Sequence, residues 1–201
     1  MTAPDSGISE WVTGLVGHCS VCDDFWGFLA NDFFMPVSMA MVMLFLWFGT
    51  GDAGRRKRLQ WGIMCASGSL GFANLAVHIL NRVIEFDPWP RPFEVHESAR
   101  QAAEALFYFP HDPSFPSNAA ACTFGAAFRL FLYHRKGSNP LNAIAILISF
   151  SRVYAGIHYP LDIVGGGAIG AAIALFTWGL MHLLRPLPIF FHRIAQKVYL
   201  A

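Results

Sequence analysis

The sequence predicts an all-α, polytopic transmembrane helix bundle, and three observations carry that prediction. Of its 201 residues 55% are hydrophobic and 15% aromatic, and only 13% are charged; a soluble domain usually carries about 25% charged residues. The apolar residues fall in long blocks, and five blocks approach the roughly 20 residues that a helix needs to cross a hydrocarbon core. The basic residues are segregated into alternate connections between those blocks, as membrane topology demands. A net charge of +1 gives no sign of nucleic-acid binding, and no basic run is interleaved with aromatics as a base-stacking surface requires.

Taken in order, residues 1–32 hold Ile8, Trp11, Val12 and Leu15 at helical spacing, interrupted by glycines and acids. This pattern is too polar to span and predicts an interfacial helix. No basic n-region precedes a short apolar run, so a signal peptide is not expected. Cys19 and Cys22 have the C-x-x-C spacing, but no second pair completes a zinc site. The four cysteines therefore read first as small semi-apolar residues, with a Cys19–Cys22 disulfide as the alternative. Five spans follow, at 33–51, 59–81, 113–133 (interrupted by Arg129), 137–151 and 163–184. The 82–115 loop is long for a compact bundle, which points to function or a lid. Its 93–107 stretch, with Glu94, Glu97, Arg100 and Glu104, predicts a short surface helix, equally readable as a solvated connector. The whole chain, 1–201, reads as a single integral-membrane domain ending in a cytoplasmic tail at 185–201.

Five spans put the 49–60 loop, the 134–140 loop and the tail on one side. With Arg129, that side holds ten of the fourteen basic residues and a single acid, Asp52. The other side holds twelve of the thirteen acids with Arg82, Arg91, Arg100 and Arg152. The basic side is expected to be cytoplasmic, so the 82–115 loop and the 152–162 turn face outward.

Two of those outward arginines are poor surface decoration. Arg152 directly follows an apolar run, and Arg91 stands between prolines in PWPRPF. Ionisable groups at membrane depth mark a site by default, and guanidinium forks suit phosphate oxygens. In SRVYAGIHYPLD, residues 151–162, Pro160 suits the first turn of a helix. Asp162 then falls where its carboxylate can accept one imidazole N–H of His158 and raise the basicity of the other nitrogen. In SFPSNAAACTF, residues 114–124, Ser117 or Asn118 is a good N-cap for the third span, and a helix N-terminus is a ready anion site. MAMVMLFLWF at 39–48 reads as packing, as do His78, His134, His182 and His192. His96 and His111 are reserve candidates on the outward side, and His111 closely precedes the PSN stretch.

These motifs resemble those of the type-2 phosphatidic acid phosphatase superfamily, which includes acid phosphatases and vanadium haloperoxidases. Its Ser-Arg-x5-His-x3-Asp motif is complete as Ser151, Arg152, His158 and Asp162. Arg91-Pro92 matches the end of Lys-x6-Arg-Pro, and Pro116-Ser117 the start of Pro-Ser-Gly-His. The resemblance implies a reaction with no cofactor and no metal. In it, His158 attacks phosphorus to form a phosphohistidine, Asp162 orients it, and Arg91, Arg152, Ser117 and the backbone near Asn118 and Ala119 hold the phosphoryl oxygens. It further implies a lipid phosphate as substrate and the bilayer as partner. The location implied is the bacterial inner membrane, with the site facing the periplasm.

Two departures stand out. Ile84 occupies the place of the lysine, with Arg82 out of register, and Ala119 occupies the place of the general-acid histidine. Asn118 resembles the Pro-Ser-Asn-His variant of undecaprenyl pyrophosphate phosphatases of the bacitracin-resistance type, so undecaprenyl pyrophosphate is the first expected substrate. Phosphatidylglycerophosphate, phosphatidate and lipid A phosphates are alternatives. A single His-to-Ala change produces this sequence, whether as an inactivating substitution or in a natural pseudoenzyme. A catalytically silent lipid-phosphate binder is the competing reading.

Overall fold

The computed structural model describes residues 3–106, 109–184 and 186–197. Among the described residues there are ten helices and no strand. In chain order they are α1 (Ser6–Thr13), α2 (Ser20–Ala30), α3 (Phe34–Phe48), α4 (Ala53–Arg82), α5 (Pro92–Val95), α6 (Glu97–Ala105), α7 (Asn118–Phe131), α8 (Arg135–Tyr154), α9 (Pro160–Leu183) and α10 (Pro186–Lys197).

Helices α3, α4, α7, α8 and α9 stand where the five apolar blocks are. Among the described residues only α4 and α9 are, each alone, long and apolar enough to cross a membrane; α2 and α3 qualify together as a pair bent by 75°. The others differ for identifiable reasons. Helix α7 has 14 residues, about 21 Å of rise, and ten of them are buried, because α4, α8 and α9 pack around it. Helix α8 reaches 20 residues but starts with Arg135 and Lys136 and ends near Arg152.

The N-terminal 32 residues form two helices where one interfacial helix was expected. Gly17, at φ +89°, takes a left-handed turn that a side chain would resist, and α2 restarts behind Cys19. Cys19 and Cys22 form a disulfide, which corrects their reading as semi-apolar fillers; Cys65 and Cys122 are free and buried. The helix expected over 93–107 breaks at His96 into α5 and α6, and residue 107 lies outside the described residues. The 185–201 tail holds α10, with residues 185 and 198–201 likewise outside.

Helix α6 is more than a solvated connector. Its Ala99, Ala102 and Ala103 are buried, and two polar contacts tie this segment to α1: His96 Nδ1 to Glu10 Oε1 at 2.6 Å and Thr13 Oγ1 to Ser98 Oγ at 3.1 Å. Gly156, at φ +69°, lets the α8–α9 turn lie against Ala99, whose backbone a Cβ would strike. Gly156 O in turn accepts from Phe93 N. The long loop is thus clamped over the α8–α9 turn.

Two of the three alanines of SNAAA have a packing role. Ala120 and Ala121 are fully buried at the crossing of α7 with α9, where a Cβ on Gly166 would meet the Ser117 carbonyl and one on Gly170 the Ala121 carbonyl. Small residues allow this close approach of helices in a membrane. Gly166→Ala is expected to lose about 1–3 kcal/mol of stability through overpacking against backbone, read as a lower melting temperature in detergent.

Candidate active site

The chemistry-bearing residues converge where the N-termini of α7 and α9 meet. Ser117 N donates to Asp162 O at 3.1 Å, locking the two helix starts together. Ser117 caps α7, its Oγ accepting from Ala120 N. Pro160 opens α9 as its first residue, which places Asp162 in the first turn, fully buried.

A buried carboxylate requires donors, and Asp162 has four. Oδ1 accepts from Trp89 Nε1 at 3.0 Å. Oδ2 accepts from Ser114 Oγ at 2.6 Å, from Tyr159 N at 2.8 Å and from His158 Nδ1 at 3.4 Å. Held at Nδ1, the imidazole has Nε2 left, and its ring lines a cavity of about 330 Å³ shared with Arg91, Arg152, Asn118 and Ala119. Burial first, and then the positive charge of Arg91, push the His158 pKa below its ordinary value, partly offset by Asp162.

The two arginines enter the cavity wall differently. Arg91 Nη1 donates to Ile157 O at 2.6 Å; Nε and Nη2 donate to Asp112 O and Oδ1 at 2.8 and 2.9 Å. It therefore clamps the loop before α7 to the α8–α9 turn. Arg152 Nη2 pairs with Asp32 Oδ1 at 3.0 Å, and Asp32 lies in the break between α2 and α3. Asp112 and Asp32 are 45% and 59% exposed while their arginines are almost wholly buried. Both carboxylates line the same cavity as the arginines they pair with.

Of the residues singled out from sequence, the cavity brings together Arg91, Asn118, Ala119, Arg152 and His158. Ser117 and Asp162 do not line it and reach it through α7 and through His158. Asn118 turns its amide to Asn74 on α4, Nδ2 to Oδ1 at 2.8 Å. Of the reserve histidines, His111 lines a neighbouring cavity with Asp87 and Glu94, and His96 is engaged by Glu10. Sequence reasoning missed Trp89, Ser114, Asp32, Asp112 and Asn74. Ser114 and Trp89 lay inside the stretches already singled out, two to three residues from the site positions, and Asp32 carried the same signal as Arg152, a charge at the edge of an apolar run.

A cavity with two arginines, an Asp-fixed imidazole and a helix N-terminus suits a phosphate ester, and its position at the end of a membrane bundle suits one carried on a lipid. Fold and site together define a membrane phosphatase acting on lipid phosphates. Residues 62–186 match the PAP2 superfamily, and the chain belongs to it. It is 28% identical over 179 residues to undecaprenyl-diphosphatase BcrC of Bacillus subtilis (strain 168), covering 89% of this chain and 85% of that protein. With YbjG of Escherichia coli (strain K12) it shares 30% identity over 158 residues, 77% of this chain and 72% of the relative. Its fold is similar to that of LpxE of Aquifex aeolicus, with a TM-score of 0.55 at 21% identity over 89% of this chain and 99% of that one. The chain is a bacterial membrane protein.

Proposed function

We propose that the chain handles a lipid diphosphate, undecaprenyl diphosphate first among candidates, by phosphoryl transfer to His158, as a step serving cell wall biogenesis. The observation that carries this reading is the buried Asp162 carboxylate presenting His158 to a cavity walled by Arg91 and Arg152. The likeness to a relative named undecaprenyl-diphosphatase supports the choice of lipid. Nε2 of His158 attacks the terminal phosphorus, the bridging P–O bond breaks, and the lipid monophosphate leaves. Water then attacks the phosphohistidine, releasing inorganic phosphate and restoring the imidazole. Arg91, Arg152 and the N–H groups opening α7 stabilise charge on the equatorial oxygens, the main source of rate in phosphoryl transfer. The 3.4 Å His158–Asp162 contact is long, as catalytic hydrogen bonds often are before substrate binds.

The 1–32 segment is read as interfacial, and the site as periplasmic, from the loop charges. Ala119 leaves the departing oxygen without a proton donor, so turnover is expected to be weak. That same alanine favours a second reading, a silent lipid-phosphate binder. The deciding experiment is phosphate release from undecaprenyl, glycerol-based and lipid A phosphates by this chain and by Ala119→His together. Release from the undecaprenyl diphosphate above the others supports the proposal; tight binding with no release by either protein supports the silent binder.

The depressed pKa of His158 sets a pH dependence. Nucleophilic attack needs neutral imidazole, and a lowered pKa keeps it neutral further into acid. In Ala119→His, kcat/KM is therefore expected to hold down to below pH ~6.5, the ordinary histidine value, before its acid limb falls. Because the unfolded chain protonates this histidine first, stability declines as pH drops below about 6.5. An acid limb at or above the ordinary value in the pH–rate profile contradicts the assignment.

A further inference from the structure

At the opposite end of the bundle lies a second, larger cavity of about 520 Å³, between the N-terminal turns of α4, the residues just after α7, and α10. Lys57, Arg58 and Arg193 line it with His192, Trp61 and Tyr133, and none of the described lining residues is acidic. Asp52, the single acid assigned to this side, is occupied in capping α4 through Arg55 N at 2.6 Å. From Lys57 to Arg82, where the active-site loop begins, α4 rises about 38 Å, so the two cavities are remote from one another.

The walls of this cavity are built, not fortuitous. His192 is 7% exposed and its Nε2 meets Oε1 of the buried Gln60 at 3.1 Å, which seats α10 on α4 and brings Arg193 beside Lys57. Trp61 Nε1 donates to the Tyr133 hydroxyl at 2.7 Å, fixing both rings. Behind Tyr133 stands Arg129, fully buried, its guanidinium carbon 4.7 Å from the ring centroid. None of its three nitrogens has a hydrogen-bonding oxygen among the described residues. The three cations that line the cavity, Lys57, Arg58 and Arg193, repel one another, and a bound anion relieves that repulsion. Basic pockets between membrane helices on the cytoplasmic side take anionic headgroups, and Trp and Tyr favour that boundary.

We propose that this cavity is a second, non-catalytic binding site for a phosphate-bearing anion, separate from the catalytic one. Two sources share that chemistry: the headgroup of an anionic phospholipid in the adjoining leaflet, and free inorganic phosphate. The full chain is placed in phosphatidylcholine nanodiscs with and without phosphatidylglycerol, and retained lipid is counted by native mass spectrometry. In parallel, inorganic phosphate is titrated against the melting temperature.

Phosphatidylglycerol is expected to stay bound to the chain and to Arg152→Gln, which alters only the catalytic cavity. In the triple variant Lys57→Gln/Arg58→Gln/Arg193→Gln its affinity is expected to fall about tenfold or more, whereas Lys57→Arg/Arg193→Lys retains it. If instead phosphate raises the melting temperature of the chain but not of the triple variant, the occupant is the free anion and the site stands. Should the triple variant fail to fold, Arg193→Gln alone, at an exposed position, shows the same direction of loss. Equal binding of both ligands by parent and variants overturns the proposal.

Discussion

Ala119→His is expected to raise phosphate release by about 10²–10⁴-fold, the usual contribution of a positioned general acid. Ala119 lies in the first turn of α7, 8% exposed, with its methyl on the wall of the cavity that His158 and both arginines share. An imidazole grown from this position enters the space where a leaving oxygen must depart when His158 attacks from the other side. The gain should appear in kcat with little change in KM, because the alanine methyl contributes no polar contact that histidine replaces. Ala119→Asn provides the control: it adds hydrogen-bonding capacity without a titratable proton and should gain little. Unchanged turnover in Ala119→His, with substrate binding intact, removes position 119 from the mechanism and favours the silent binder.

What the sequence made legible was local. Arg152, His158 and Asp162 lie within eleven residues of one another at one helix junction, so periodicity and one proline were enough to bring them together. The N-cap at Ser117 is equally local, since its acceptor role is to Ala120 N three residues on. What stayed hidden depends on partners distant in the chain. Trp89 and Ser114 reach Asp162 across 73 and 48 residues, and Asp32 reaches Arg152 across 120. No spacing rule links such positions; the fold does. The bend between α2 and α3 was hidden for a related reason. Asp32 stands at the end of the polar 1–32 segment, and the bend brings it to Arg152 on α8. The need for Ala120 and Ala121 to be small is equally non-local, since it comes from Gly166 and Gly170 opposite them on α9.

In the Ala119→His background, His158→Ala is expected to abolish turnover, a loss on the order of 10⁴–10⁶-fold as for other nucleophile deletions. His158 is the proposed acceptor of the phosphoryl group, so its removal also eliminates any acid-labile, base-stable phosphoryl label trapped from a substrate with a radioactive terminal phosphate. The parent chain should show that label. Without an imidazole at position 119 that could take a proton from the attacking water, the phosphohistidine once formed is expected to decay slowly. Asp162→Asn separates positioning from nucleophilic attack. An amide cannot accept at both ends, so one of the contacts to Trp89, Ser114, Tyr159 N and His158 must be given up. With the amide nitrogen at the Oδ2 position, His158 loses the acceptor that fixes its tautomer, and labelling should slow without disappearing. Vanadate, which mimics the five-coordinate phosphorus, should bind the parent tightly, Asp162→Asn more weakly, and His158→Ala least. If His158→Ala keeps both the label and its vanadate affinity, the histidine merely caps a helix and the phosphohistidine mechanism fails.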